Sequence, residues 1–239
     1  FLVRDVEMTH DRYRRLGSIT DPIHLFWQDL YSGLVVPIAS FRQEISYGVE
    51  MAGGRPGGPT RVPFTIGPVG TVSSFSALIN DGVSPEIREY DTKGKLRRIF
   101  RVPGFRRPVD GDVEEGMINY WMWRNGWSRS DAEWMLNEIP SPDTLPAFQS
   151  LQVDETGWVW AELYHWDRTK PSGRWMVFDP HGRAHGVLRT PDGLRIQRIG
   201  EDFLLGIRLD DLGLEQVLRY SLKRGGLPGR SSHAKQSPI

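Results

Sequence analysis

Glu86-Ile-Arg-Glu-Tyr-Asp-Thr-Lys-Gly-Lys-Leu-Arg-Arg-Ile-Phe-Arg-Val-Pro103 and Arg174-Trp-Met-Val-Phe-Asp-Pro-His-Gly-Arg-Ala-His-Gly-Val-Leu-Arg-Thr-Pro191 are two copies of one pattern. Each has an aromatic residue, then Asp-x-x-Gly, then an alternating run that ends at proline. A strand leads into Asp91 or Asp179, the four residues turn tightly with Gly94 or Gly182 free to take positive φ, and a second strand leads away. A third copy, Gln216-Val-Leu-Arg-Tyr-Ser-Leu-Lys-Arg224, matches the first strand alone, with Tyr220 placed 42 residues after Phe178.

A period near 40 residues with about four strands per unit predicts propeller blades, because each blade is a small sheet that cannot bury both faces by itself. One unit is expected from Arg61 to Ile66, Val72 to Asn80, Glu86 to Tyr90 and Leu96 to Val102. The next opens with a hairpin around Asp154 to Gly157 and closes with the Arg174 to Pro191 copy. The last runs through Gly193 to Ile199, Asp202 to Leu209 and Gln216 to Leu222. Upstream, Leu34 to Phe41 and Gln43 to Met51 read as strands, and the glycine and proline cluster from Gly53 to Pro59 reads as a loop between units.

The spacing from Tyr90 to Phe178 is 88 residues, about twice the period, so something is inserted between these units. Capping patterns at Asp112-x-x-Glu115 and Ser130-x-x-Glu133, stopped by Pro140, predict two short helices at 113–124 and 131–138. The expected organisation is one partial β-propeller domain at 1–224, with a helical insertion at about 112–139 and a disordered tail at 225–239.

Composition narrows the function classes. The 30 basic and 30 acidic residues cancel, giving no global electrostatic argument for nucleic acid or an acidic membrane. Arginine outnumbers lysine 25 to 5, which reads as the codon bias of a GC-rich genome, with a guanidinium-rich binding face as the alternative. The absence of cysteine excludes a disulfide framework, a thiolate metal site and a cysteine nucleophile, while leaving the compartment open. Apolar runs such as Gly33-Leu-Val-Val-Pro-Ile-Ala39 fall far short of the roughly 20 residues a membrane helix needs.

Three stretches resemble a family of bacterial six-bladed β-propellers related in architecture to NHL-repeat propellers. They are Pro146-Ala-Phe-Gln-Ser-Leu-Gln-Val-Asp-Glu-Thr-Gly-Trp-Val-Trp160, Trp175-Met-Val-Phe-Asp-Pro-His-Gly-Arg183, and Ile199-Gly-Glu-Asp-Phe-Leu-Leu-Gly206 with Asp210-Asp-Leu-Gly-Leu-Glu-Gln-Val-Leu-Arg-Tyr220. The resemblance covers about 60–103 and 146–224, in the order of the family's carboxy-terminal blades. It implies an exported, periplasmic or outer-surface protein, with a lipid anchor on an upstream segment compatible with it. It also implies that the ring is incomplete, because three blades are evident and a fourth, at 1–58, is degenerate.

Chemistry-bearing residues are sparse. Glu162, His165, Asp179 and His181 are the candidate acid–base or metal-ligating groups, with His185 nearby. Their spacing matches no metal-binding motif, so no metal and no cofactor is expected. No nucleophile elbow, phosphate loop or dinucleotide fingerprint occurs. Trp121, Trp123, Trp127 and Trp134 concentrate on the insertion, where they either grip a partner or pin the helices onto the blades. The reading is a non-enzymatic binding or scaffolding module for a protein, peptide or small-molecule partner. The alternative is a hydrolase or lyase with a metal or carboxylate site in the propeller channel.

Overall fold

A computed structural model of the chain describes residues 2–6, 17–19, 22–29, 31–42, 46–51, 55–73, 75–167, 171–224 and 236–237. The architecture is all-β and propeller-like, with two helices. Three sheets are four-stranded antiparallel meanders in chain order. The first holds β7 (Val69–Val72), β8 (Ser76–Asn80), β9 (Glu86–Asp91) and β10 (Leu96–Arg101). The second holds β11 (Phe148–Val153), β12 (Val159–Leu163), β13 (Arg174–Phe178) and β14 (Ala184–Arg189). The third holds β15 (Arg195–Ile199), β16 (Phe203–Leu209), β17 (Glu215–Ser221) and β18 (Gln236–Ser237). We call these the first, second and third blades. Of the segment expected to be a disordered tail, residues 236–237 thus close the third blade, and its other residues from 225 onward lie outside the described residues.

Upstream, β1 (Leu2–Val6), β3 (Pro22–Gln28) and β4 (Val35–Arg42) form one three-stranded sheet. A second is made by β2 (Gly17–Ile19), β5 (Ser46–Met51) and β6 (Arg55–Arg61). The cluster expected as a loop at 53–59 is therefore largely strand. Proline is tolerated there because β6 is an edge, where missing donors cost the ladder nothing. Of the strand expected at Arg61 to Ile66, Arg61 ends β6 and 62–66 form an irregular, largely buried connector, in which Phe64 takes φ +56°. Val72 to Asn80, expected as one strand, is a hairpin, because Ser73 turns the chain and its amide donates to the Ser76 carbonyl at 2.8 Å.

Side-chain alternation explains how the blades stack, since successive residues of a strand face opposite sides. On β8, Ala77 and Ile79 pack with Ile23, Leu25 and Ile38 of the upstream sheet, whereas Leu78 faces the second blade. On β12, Val159, Ala161 and Leu163 face the first blade and Trp160 faces the third. On β13, Met176 and Phe178 face the first blade, and Trp175 and Val177 face the third. The aromatic residue of the sequence repeat has one job throughout. Tyr90, Phe178 and Tyr220 all sit on the third strand of a blade and are buried against the preceding sheet.

The Asp-x-x-Gly turns share one hydrogen-bond scheme. Asp91 Oδ1 accepts from the Lys93 and Lys95 amides at 2.9 and 3.0 Å. Asp154, Asp179 and Asp210 repeat this with the amides two and four residues on, all at 2.9–3.0 Å. The glycine four positions into each turn has φ between +76° and +89°, a conformation that a Cβ opposes. The other oxygen looks six residues on. Asp154 Oδ2 accepts from Trp160 Nε1 at 2.8 Å, Asp179 Oδ2 meets His185 Nε2 at 3.0 Å, and Asp210 Oδ2 accepts from Gln216 Nε2 at 3.4 Å.

The insertion is two helices, α1 (Gly111–Asn125) and α2 (Arg129–Glu138). The caps lie two residues upstream of the expected ones. Asp110 caps α1 through Val113 N at 3.0 Å, and Ser128 with Asp131 forms the capping box of α2. Gly126 ends α1 at φ +67°, donating to the Met122 carbonyl. The helices bury Met117, Ile118, Trp121, Ala132 and Met135 against Val62, Phe64, Ile66 and Tyr164. Gly116 is where α1 touches the β12–β13 loop: a Cβ there would stand 2.8 Å from Trp166 Cζ2. Gly116→Val should undock the insertion at a cost of about 1–3 kcal/mol. The loss would be read as a lower chemical-denaturation midpoint with a change in tryptophan emission, and an unchanged midpoint would refute this docking.

Candidate functional site

Each meander runs its first strand from the helical end of the blades toward the opposite end. Chain direction therefore puts the insertion and the β12–β13 loop at one end, and the Asp91, Asp154 and Asp179 turns at the other. The four acid–base candidates divide between these ends. Glu162 lies near the helical end, buried, accepting from Ser150 Oγ and the Ser172 amide, each at 2.8 Å. His165 sits in the adjoining loop, where its amide donates to Gln149 Oε1 at 2.9 Å and its ring stacks on Trp166. Asp179 and exposed His181 occupy the turn at the other end. Since Glu162 pairs with Trp175, four residues before Asp179, roughly 13 Å of strand separates the pairs. Among the described residues, no three His, Cys, Asp or Glu side chains come together to hold a metal ion.

Asp179 is held well below the ordinary carboxylate range, at about 2. Burial pushes it up, and the Arg183 amide, His185 and the His181 amide outweigh that effect. A carboxylate with a depressed folded pKa adds stability above its unfolded value, about 3.9, and loses it as pH falls through the folded value. The thermal midpoint should therefore fall between about pH 4 and pH 2, and less steeply in Asp179→Asn. Parallel slopes for the two proteins would show that this turn does not carry the acid response.

The insertion's tryptophans also divide. Trp121 is buried, with its ring 5.6 Å from that of half-buried Trp127, so both are engaged in packing. Trp123 and Trp134 are 75% and 45% exposed. Arg224 lies over Trp158, its guanidinium carbon 5.5 Å from the ring centroid.

A third location was not singled out by the sequence. At the end opposite the helices, a cavity of about 420 Å³ opens between the first strands of all three blades. Thr71 of β7, Gln152 and Val153 of β11, and Gln197 to Ile199 of β15 line it, with Glu155 from the Asp154 turn. Its lining is mostly polar. Gln152 Nε2 donates to the Ile196 carbonyl at 3.3 Å, bridging the second and third blades, and Glu155 forms an ion pair with Arg198 across the same gap. Gln197 is an extra residue: Ile196 pairs with Gly206 and Arg198 with the adjacent Leu205, so Gln197 forms a β-bulge. Bulges re-aim side chains and recur beside functional sites. The sequence does carry this signal. Ile196 and Ile199 are both apolar, three apart, and packed in the same cluster, a break in strict alternation that the bulge at Gln197 accommodates.

The rim is firmly built. Asp154, which holds the Glu155 turn, is buried and accepts from Trp160 Nε1, Thr156 and Arg224 Nη1. Burial raises its pKa, and those bonds together with the Trp158 amide more than offset this, so it stays ionised below the usual range. Arg224 also donates to the Gly200 and Glu201 carbonyls at 2.7 and 2.8 Å, tying the residues after β17 to the β15–β16 turn of its own blade, while its bond to Asp154 reaches the second blade.

In comparisons with known proteins, no family model matches the chain and no curated protein matches it significantly. Among solved structures it is similar to a provisionally assigned 6-phosphogluconolactonase from Bacteroides uniformis, with 8% identity and a TM-score of 0.30, covering 98% of this chain and 67% of that one. A likeness that distant carries no argument about activity.

Proposed function

We propose that this protein is a non-enzymatic binding module whose small polar ligand enters the cavity between the first strands of the three blades. The observation that carries the reading is the convergence there of Gln152, Gln197 and Thr71 from three separate sheets, on a bulge that turns Gln197 out of the regular pleat. A volume of about 420 Å³ lies within the usual range for small-molecule sites. The Asp154 and Arg224 network supports the rim, so the lining is held before a ligand arrives.

A thermal-shift screen of neutral, anionic and cationic small solutes tests the reading on the wild-type chain and on Gln152→Ala/Gln197→Ala. A ligand at a hundredfold excess over its Kd stabilises by about 2.7 kcal/mol, and the expected result is a solute that raises the wild-type midpoint but not the variant's. Equal shifts in both proteins, or no shift with any solute, would count against it. The exported location implied by the family resemblance belongs to the same proposal. Fractionation of cells expressing the full gene tests it, and recovery in the cytosol would sink it.

A further inference from the structure

The chemistry of the cavity narrows the ligand class, an inference that rests on the binding reading above. Two primary amides and one hydroxyl dominate the polar lining. An amide offers a donor and an acceptor side by side, which suits a hydroxyl group that both gives and takes a hydrogen bond. The bond from Gln152 Nε2 to the Ile196 carbonyl fixes that amide and leaves its oxygen as an acceptor. The Gln197 side chain makes no hydrogen bond among the described residues, so donor and acceptor are both open.

The charges at the site cancel. Arg198 is the one cation of the lining and Glu155 the one anion, and they are paired with each other. An anionic ligand would have to draw Arg198 away from Glu155, and a cationic ligand the reverse. Either exchange replaces one ion pair by another while leaving a third charge beside the ligand. Val153 and Ile199 add a small apolar wall, suited to the C–H face of a ring that carries hydroxyls on its edge.

From this lining we infer that the ligand is an uncharged polyhydroxylated molecule, a sugar or cyclic polyol, held by Gln152 and Gln197 with the Glu155–Arg198 pair at the mouth. The test uses three probes with one skeleton and three charges: glucose, glucose 6-phosphate and glucosamine, titrated calorimetrically into the full chain. Glucose should bind more tightly than either charged sugar. Gln197→Met, an exposed change that leaves the unfolding midpoint in place, should weaken glucose about tenfold. Glu155→Gln should free Arg198 and move glucose 6-phosphate ahead of glucose. If a charged sugar outranks glucose on the wild type and Gln197→Met abolishes its binding, the ligand class is wrong and the site stands. If glucose binds equally to wild type and Gln197→Met, it sits elsewhere and this inference fails. If none of the three sugars binds, the polyol assignment falls, and the wider solute screen decides separately whether the cavity is a binding site.

Discussion

Asp154→Ala should lower the unfolding free energy by about 3–5 kcal/mol, because it strips the partner from a buried, charged network instead of deleting the network whole. Five donors lose their acceptor at once: the Thr156 and Trp158 amides, Thr156 Oγ1, Trp160 Nε1 and Arg224 Nη1. The Arg224 side chain is only 18% exposed, so its charge would be left poorly solvated between two blades. Urea denaturation of Asp154→Ala, Arg224→Met and the double variant separates these contributions. The double variant should be less destabilised than the sum of the singles, since removing both partners leaves no stranded charge. Strict additivity, or a loss below about 1 kcal/mol for Asp154→Ala, would show that the pair is solvated and does not staple the blades.

Phe178→Ala should cost about 3–5 kcal/mol by a different route, a cavity at the interface of the first and second blades. Phe178 is fully buried and meets Phe100 edge to face, with ring centroids 5.7 Å apart. Gly182 of the neighbouring turn stands over the same ring: a Cβ there would lie 3.4 Å from Phe100 Cδ1. Phe178→Leu should recover more than half of the loss, because volume is restored even though the aromatic contact is not. A loss of less than about 1 kcal/mol in Phe178→Ala would mean that the interface collapses to fill the space, against the close packing described here.

Much of this architecture is legible in the sequence because it is coded locally. The aromatic-Asp-x-x-Gly pattern fixes a turn, a glycine conformation and the inward face of one strand within a few residues. The Asp154 and Asp210 turns obey it although their flanking residues differ from the first two copies. The insertion was legible through its capping residues, displaced by two because Asp110 and Ser128 precede other capping-competent residues that the fold leaves inside the helices. What failed locally was decided at a distance. Residues 61–66 alternate like a strand, yet Val62, Phe64 and Ile66 are drawn under the helices and never form a ladder. The prolines and glycines of 55–59 read as a loop, yet an edge strand accepts them. The cavity escaped notice because Gln152, Gln197 and Thr71 are ordinary residues 45 or more positions apart, and only the stacking of three sheets makes them neighbours.

The Asp-anchored turns also bear on how the chain reaches this arrangement. Apart from the Arg224 bond to Asp154, the bonds described in them join residues no more than six apart, so closing each turn costs little loop entropy and needs no other blade to be present. Hairpins of this kind form in about 1–10 μs. The buried contacts between sheets join residues such as Leu78 and Phe178 that are far apart in the chain, and such contacts set a slower pace. The blades are thus built to exist first as separate, fluctuating hairpins. The slow step expected in refolding is their mutual docking, where the repeat aromatics Tyr90, Phe178 and Tyr220 find their neighbouring sheets; a Phe178→Ala chain that refolds at the wild-type rate would refute this.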